Sequence, residues 1–278
     1  MLAFYDGRVP GSRFAPGPNW VDDGALSLGI ASYAIFDGDA ALVYDTHVST
    51  DHARIIRQTL ENMGISRFTV VLSHHHLDHV AGTEVFDGAS IIANRRTADH
   101  LSRRKAAIEA GTHKGAPGIN PLILPTQVFE NRAHLHIGGL HIDLIAANIH
   151  SDDATLVWMA RPRLLLAGDA IEDPITYVGA PQDFDIHLTE LDRLAALNPQ
   201  RILPNHGDPD IIAAGGYGPD IIPATQRYIR HLQASRDDKA RREMPLQQVL
   251  AADLAAGTLK YFAEYEAVHR ANLAAVLA

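Results

Sequence analysis

Residues 73–79 read Ser-His-His-His-Leu-Asp-His, and the apolar run Phe68 to Leu72 comes directly before them. That pairing constrains the fold more than anything else in the chain. A continuous apolar run of this length reads as a strand covered on both faces, and a strand that ends in a tight loop can aim alternate side chains at one point. Four histidines and one aspartate at such a strand end point to a metal site, because imidazole and carboxylate suit zinc and its first-row neighbours. None of the 278 residues is cysteine, so any metal is held by His, Asp or Glu.

The chain around this stretch alternates strand and helix patterns. Residues 1–20 are rich in Gly and Pro and read as irregular surface chain. Asp37-Gly38-Asp39 separates the apolar runs Ser32 to Phe36 and Ala41 to Asp45, a strong hairpin signal. Asp51 is expected to cap a helix running to Met63, with Ile55, Ile56, Thr59, Leu60 and Met63 on one face. After the histidine cluster come a short helix, a strand at Ser90 to Ala93 and a helix over Ala98 to Glu109.

Gly111 to Pro125 has little periodicity and reads as a long loop, either a wall or lid of the pocket or an ordered surface connection. Strands are then expected at Ala133 to Ile137, Leu140 to Ala146, Ala154 to Met159, Leu164 to Ala167 and Arg201 to Pro204, with a helix at His187 to Leu197. Beyond Gly218 the pattern is helical over Ala224 to Ser235, Pro245 to Ala256 and Thr258 to Leu277. Two similar halves imply an α/β fold in four layers, an αβ/βα sandwich, occupying residues 1–219, with a C-terminal helical extension at 220–278.

Three more candidate ligands each follow an apolar strand: His150 after Leu144 to Ile149, Asp169 after Leu164 to Gly168, and His206 after Ile202 to Asn205. With these in hand, the chain resembles the metallo-β-lactamase-fold hydrolase superfamily over roughly residues 25–210. Its signature H-x-H-x-D-H is matched by His74, His76, Asp78 and His79, and its later His, Asp and His by His150, Asp169 and His206.

The resemblance implies two divalent metal ions, zinc first, with iron, manganese or cobalt as alternatives. His74, His76 and His150 would hold one ion, Asp78, His79 and His206 the other, and Asp169 would bridge them. It further implies hydrolysis of a small ester, lactone or thioester by a metal-bridging hydroxide, with Asp78 as the catalytic carboxylate that orients it and carries its proton.

Departures narrow the branch. Lactamases with a cysteine ligand need a thiol, those with an all-histidine second site generally lack the bridging carboxylate, and His76 stands where the flavin-linked di-iron relatives carry Glu. This favours the lactonase and glyoxalase II-like branch. Alternatives on the same ligands are a β-lactam, amide or phosphoester hydrolase, an iron-dependent sulfur dioxygenase, or a binding protein with a vestigial site. Ile149 replaces a common Gly before His150, and Ser151-Asp152-Asp153 replaces a small-residue turn. Asp152 and Asp153 either cap backbone amides or face the pocket and disfavour polyanions.

Outside the ligand set, Tyr177, His187 and Tyr33 are candidates for binding substrate, Tyr33 from the tip of the hairpin. His75 should point away from the metals by strand alternation. His134, His136 and His141 read as a solvated sheet face, His47 and His52 carry no assigned role, and His113 in the long loop could meet substrate, although simple exposure is the usual state of a lone loop histidine. With 33 acidic against 24 basic residues the formal charge is -9, which favours a small-molecule substrate over nucleic acid or an anionic membrane. No signal-peptide or membrane-span pattern stands out, so a cytoplasmic enzyme is expected. The C-terminal helices could cover the pocket or form a homodimer, although packing on the sandwich is the simpler reading.

Overall fold

The computed structural model describes residues 1–278, which divide into two compact units, Met1–Ala146 and Ala147–Ala278. The first opens with β1 (Leu2–Asp6), which pairs antiparallel with β2 (Ile30–Asp37). The N-terminal segment expected to be irregular therefore begins as a sheet edge, and its glycines and prolines fall in the later part, residues 7–18. A π-helical turn, Val21–Leu26, follows. The hairpin from β2 to β3 (Ala40–Tyr44) turns at Gly38 with φ 59°, a conformation that glycine adopts without a Cβ penalty.

The cap of helix α1 (Thr50–Asn62) lies two residues before the expected one. Ser49 supplies the cap, its Oγ accepting from the amide of His52, because its extended backbone aims the side chain back at the first turn. Only Ala53, Ile56 and Leu60 of this helix are buried, while Ile55 and Met63 face solvent. Ser49→Ala should cost about 1 kcal/mol, read as a lower midpoint in chemical denaturation with unchanged slope.

Strand β4 (Arg67–Val71) lies parallel between β3 and β5 (Ser90–Asn94) and is central in its sheet as expected, with Val70, Val71 and Leu72 buried and Phe68 and Thr69 half-buried. It ends in α2 (Leu77–Val80), a helix that begins inside the histidine motif. Next come a 3-10 turn at Thr83–Phe86, then α3 (Arg95–Glu109), capped by Asn94, and the short parallel strand β6 (Gln127–Phe129), for which the sequence pattern gave no sign. The sheet order is β1-β2-β3-β4-β5-β6. Ala41, Val43, Val70, Leu72, Ile91 and Ala93 form a core with Ile56 and Leu60 of α1, Val80 of α2, and Leu101 and Ile108 of α3.

Between α3 and β6, residues 111–125 form the expected irregular loop. Pro117 to Pro121 line a cavity of about 200 Å³ together with Phe14, Trp20, Val48 and Ala81. The Trp20 indole donates to the carbonyl of Pro117 at 2.9 Å and ties the loop to the N-terminal arm.

A five-stranded sheet has the order β11-β10-β9-β8-β7. Its hairpin β7 (Arg132–Ile137) and β8 (Leu140–Ile149) pairs His136 with His141, and both are exposed, as is His134. These three histidines are the solvated face that the alternation suggested.

In the second unit, β9 (Ser151–Met159) pairs antiparallel with β10 (Leu164–Gly168), and β10 runs parallel to β11 (Arg201–Pro204). Ser151-Asp152-Asp153 is thus strand and not a turn, with Asp153 fully buried and Asp152 half-buried.

Helix α4 (Phe184–Ala196) starts before His187, and α5 (Pro209–Ala213) follows β11. The C-terminal part contains α6 (Ile221–Ala234), α7 (Lys239–Arg242), α8 (Leu246–Val249), α9 (Ala251–Ala255) and α10 (Tyr265–Leu277). The long helices expected over 245–256 and 258–277 are broken at Leu250 and shortened by the non-helical stretch from Thr258. No helix is long and apolar enough to cross a membrane.

Candidate metal centre

In the first unit the site grows from the ends of two parallel neighbours. Tyr44 of β3 lies in register with Val71 of β4, and Asp45 still donates its amide to the Val71 carbonyl at 2.9 Å. There the chains separate. Asp45 takes φ 64°, and this left-handed turn places its carboxylate over the start of the histidine loop, where Oδ1 accepts from the Ser73 amide at 2.6 Å.

The other carboxylate oxygen stands 2.8 Å from His79 Nδ1. A carboxylate only accepts, so Nδ1 carries the hydrogen and Nε2 keeps the lone pair needed for a metal. The His79 carbonyl accepts from the amide of Thr46 at 2.8 Å and from its hydroxyl at 3.1 Å, so the residue is held at both ring and backbone. Gly82 permits this close approach: a Cβ there would lie 2.3 Å from both the Thr46 carbonyl and the Ala53 side chain.

The ring centroids of His74 lie 4.4 Å from His76 and 4.2 Å from His79, and Ser73 Oγ is 2.9 Å from His74 Nδ1. The ligand atoms of His74 and His76 lie within 4.8 Å of each other, as do those of Asp78 and His79. His75 instead packs on His100 at 4.4 Å, and Arg104 donates to His100 Nδ1 at 2.9 Å.

In the second unit, β10 and β11 are parallel neighbours, so the residues just past them, Asp169 and His206, emerge side by side. His150 sits between β8 and β9 with φ 68°. One oxygen of Asp169, Oδ2, is 3.6 Å from His150 Nε2 and 3.5 Å from His206 Nε2. In the first unit Asp78 Oδ2 is likewise 3.5 Å from His79 Nε2. These separations are too long for hydrogen bonds. Two donors each about 2.1 Å from a tetrahedral ion lie about 3.4 Å apart, so the spacing is that of ligands sharing an ion. The thiol-free set of imidazoles and carboxylates fits a divalent ion of zinc's type.

Of the three residues nominated for substrate contact, Tyr177 is 38% exposed with its ring 5.9 Å from that of His150, edge to face. Tyr33 lies in the middle of β2, not at the hairpin tip, and has no exposed surface. His187 is fully buried in the first turn of α4, and neither ring nitrogen has a hydrogen-bond partner. Residues the sequence did not single out are Asp45, Glu172, Asp173 and Thr176. The only signal for Asp45 was its place at the end of an apolar strand.

Burial, opposed by His79, pushes the Asp45 carboxyl up from its ordinary value. Two imidazoles move the other way: burial lowers His187 to about 4 and, with help from His52, His47 to about 3. Both are neutral in the native state at pH 6, whereas the unfolded chain protonates them near 6.5. Their contribution to stability is present above that value and is lost as pH falls towards 4. Metal-free protein should therefore lose about 1.4 kcal/mol per pH unit per histidine across that window. Denaturant midpoints at stepped pH check this, and His187→Leu should remove one proton's worth of the slope.

A sequence profile described as the metallo-β-lactamase superfamily matches residues 28–232. The chain is 25% identical over 181 residues to the beta-lactamase-like protein 2 homolog of Caenorhabditis elegans, covering 64% of this chain and 56% of that protein. It thus spans a little over half the length of that curated relative.

Among solved structures, a metallo-β-lactamase from Pontibacter korlensis aligns with TM-score 0.58 at 15% identity, covering 73% of this chain and 87% of the other. The DIM-1 metallo-β-lactamase aligns with TM-score 0.57 at 18% identity, covering 73% and 87%. Likeness at this identity shows the fold, the α/β sandwich expected from the two strand-and-helix halves. With the profile spanning most of the chain and its signature positions filled, the chain belongs to the metallo-β-lactamase superfamily.

Proposed function

We propose that this chain is a metal-dependent hydrolase of a small ester, lactone or thioester, on the lactonase and glyoxalase II-like side of its superfamily. In this reading the metal site is binuclear, with zinc first among its metals. His74, His76 and His150 take one ion, Asp78, His79 and His206 the other, and Asp169 is shared. The observation that carries it is the single oxygen of Asp169 set 3.6 and 3.5 Å from imidazoles assigned to different ions. When bound, the ions supply Lewis acidity towards a carbonyl and acidify water enough to make it a nucleophile near neutral pH.

The chain's own groups do the rest. Asp78, with 19% of its side chain exposed, can hold a proton and pass it to the leaving group. Tyr177, half-exposed against His150, can present its hydroxyl to the substrate's carbonyl oxygen. His187 is neutral at pH 7 and fully buried, so it puts no positive charge near His150 and offers the substrate no surface of its own. The net charge of -9 favours a small substrate without polyanionic character.

The test is hydrolysis of a panel of lactones, thioesters, aryl esters, β-lactams and phosphodiesters by metal-analysed protein. Turnover of a carboxylic ester, lactone or thioester that disappears with a chelator and returns with zinc is expected. No turnover of any panel member by protein carrying both ions would overturn the reading.

A further inference from the structure

We propose that Glu172, held by Tyr265 of the C-terminal helix, is a positioning residue that fixes the tautomer and aim of His150. The inference rests on His150 being a metal ligand, as proposed above. The Glu172 side chain is 3% exposed, and its two oxygens serve different sides. Oε2 accepts from the Tyr265 hydroxyl at 3.0 Å, while Oε1 accepts from the Tyr177 amide at 3.2 Å and stands 3.5 Å from His150 Nδ1. The second neighbour of that nitrogen is Thr176 Oγ1, at 3.3 Å.

Thr176 has one hydroxyl hydrogen, and it goes to a backbone carbonyl, Asp169 at 2.6 Å or Tyr177 at 3.2 Å. Towards the imidazole it can only accept. The occupied Thr176 hydroxyl accepts from Nδ1 at 3.3 Å, and Glu172, at 3.5 Å too far for a hydrogen bond of its own, turns an acceptor oxygen towards the same atom; both favour the hydrogen there and leave the lone pair on Nε2, the atom 3.6 Å from Asp169 Oδ2. His150 needs such bracing because a non-glycine residue at φ 68° stores strain that its surroundings must offset.

The brace comes from beyond the shared region of the superfamily. The profile match ends at residue 232, whereas Tyr265 and Asn272 lie two turns apart on α10. Asn272 Nδ2 donates to the Thr176 carbonyl at 3.0 Å, and its Oδ1 accepts from the Val178 amide at 2.8 Å. The helix therefore grips both ends of the 172–178 segment. A buried carboxyl group is costly unless its lone pairs are used, and Tyr265 supplies the side-chain donor to Glu172 at this depth. The C-terminal extension is, on these contacts, part of the metal-site support.

The experiment uses full-length Glu172→Leu, Tyr265→Phe and the double variant. Zinc affinity is measured by chelator competition, and the His150 tautomer by two-bond proton–nitrogen correlation spectra on zinc-free protein. The unaltered chain should show Nδ1–H at His150. Glu172→Leu removes the acceptor oxygen that faces Nδ1, so it should populate the Nε2–H form and weaken zinc binding about 10–100-fold. Tyr265→Phe should give a smaller loss in the same direction, and the double variant should be no worse than Glu172→Leu alone.

An Nε2–H tautomer in the unaltered chain overturns the proposal, as do a lower melting temperature with unchanged affinity and tautomer, or fully additive losses. If Glu172→Leu fails to fold, Tyr265→Phe alone decides by the same two readouts. Failure of the unaltered protein to bind zinc would count against the metal-dependent function, while the tautomer in zinc-free protein still decides the role of Glu172.

Discussion

Asp78→Asn should leave the melting temperature nearly unchanged and lower kcat by about 10²–10⁴-fold on any substrate the panel identifies. The two halves of this expectation have separate causes. Asp78 is the second residue of the four-residue helix α2 and keeps 19% of its side chain exposed, so an isosteric amide strands no fully buried charge. The chemistry changes more. An amide oxygen can still face a cation but cannot take up a proton, so a carboxylate that must hold one in transit is lost. Because Asp78 is also a proposed ligand, metal content has to be measured alongside turnover. A fall in kcat at full metal content isolates the proton role, whereas a fall that tracks metal loss assigns Asp78 to ligation alone. Unchanged turnover would remove it from the mechanism.

What could be read from the sequence and what could not divides along the range of the interactions. The ligand candidates were legible because each follows an apolar strand, and adjacent parallel strands carry such residues to one edge, as β10 and β11 do for Asp169 and His206. The hairpin at Gly38 and the central strand β4 were legible for the same local reasons.

Strand β1 was hidden because Leu2 to Asp6 alternates too briefly to signal a strand, and its stability comes from pairing with β2, 24 or more residues away. Ser49 took the cap from Asp51 through a backbone conformation that composition does not encode. Tyr33 illustrates the opposite error. Its place near an Asp-Gly turn suggested a tip, but the turn lies at the far end of β2 and the ring is buried. The groups that orient ligands were the least visible: Asp45 meets His79 across 34 residues and Tyr265 meets Glu172 across 93. No periodicity links positions so far apart.

Asp45→Asn should act through metal binding and not through the chemical step, since Asp45 touches no substrate in the proposed reaction. The asparagine Oδ1 can keep the Ser73 amide bond, so the turn at φ 64° and the strand ends should survive, Asn being among the residues that tolerate this conformation. Its Nδ2 then faces His79 Nδ1, donor against donor. The imidazole escapes by moving its hydrogen to Nε2, the nitrogen 3.5 Å from Asp78 Oδ2, and so gives up the lone pair offered to the ion.

Zinc affinity should fall about 10–100-fold, with turnover falling at least as far at limiting metal and partly recovering at saturating metal. Asp45→Ala goes further: it leaves the buried Ser73 amide without its acceptor, at a cost of about 1–3 kcal/mol, and puts a residue poorly suited to positive φ in the turn. The comparison separates tautomer control from packing. Asparagine should impair metal binding more than stability, and alanine should impair both. Equal zinc affinity in Asp45→Asn and the unaltered protein would show that His79 is held by its backbone contacts to Thr46 alone.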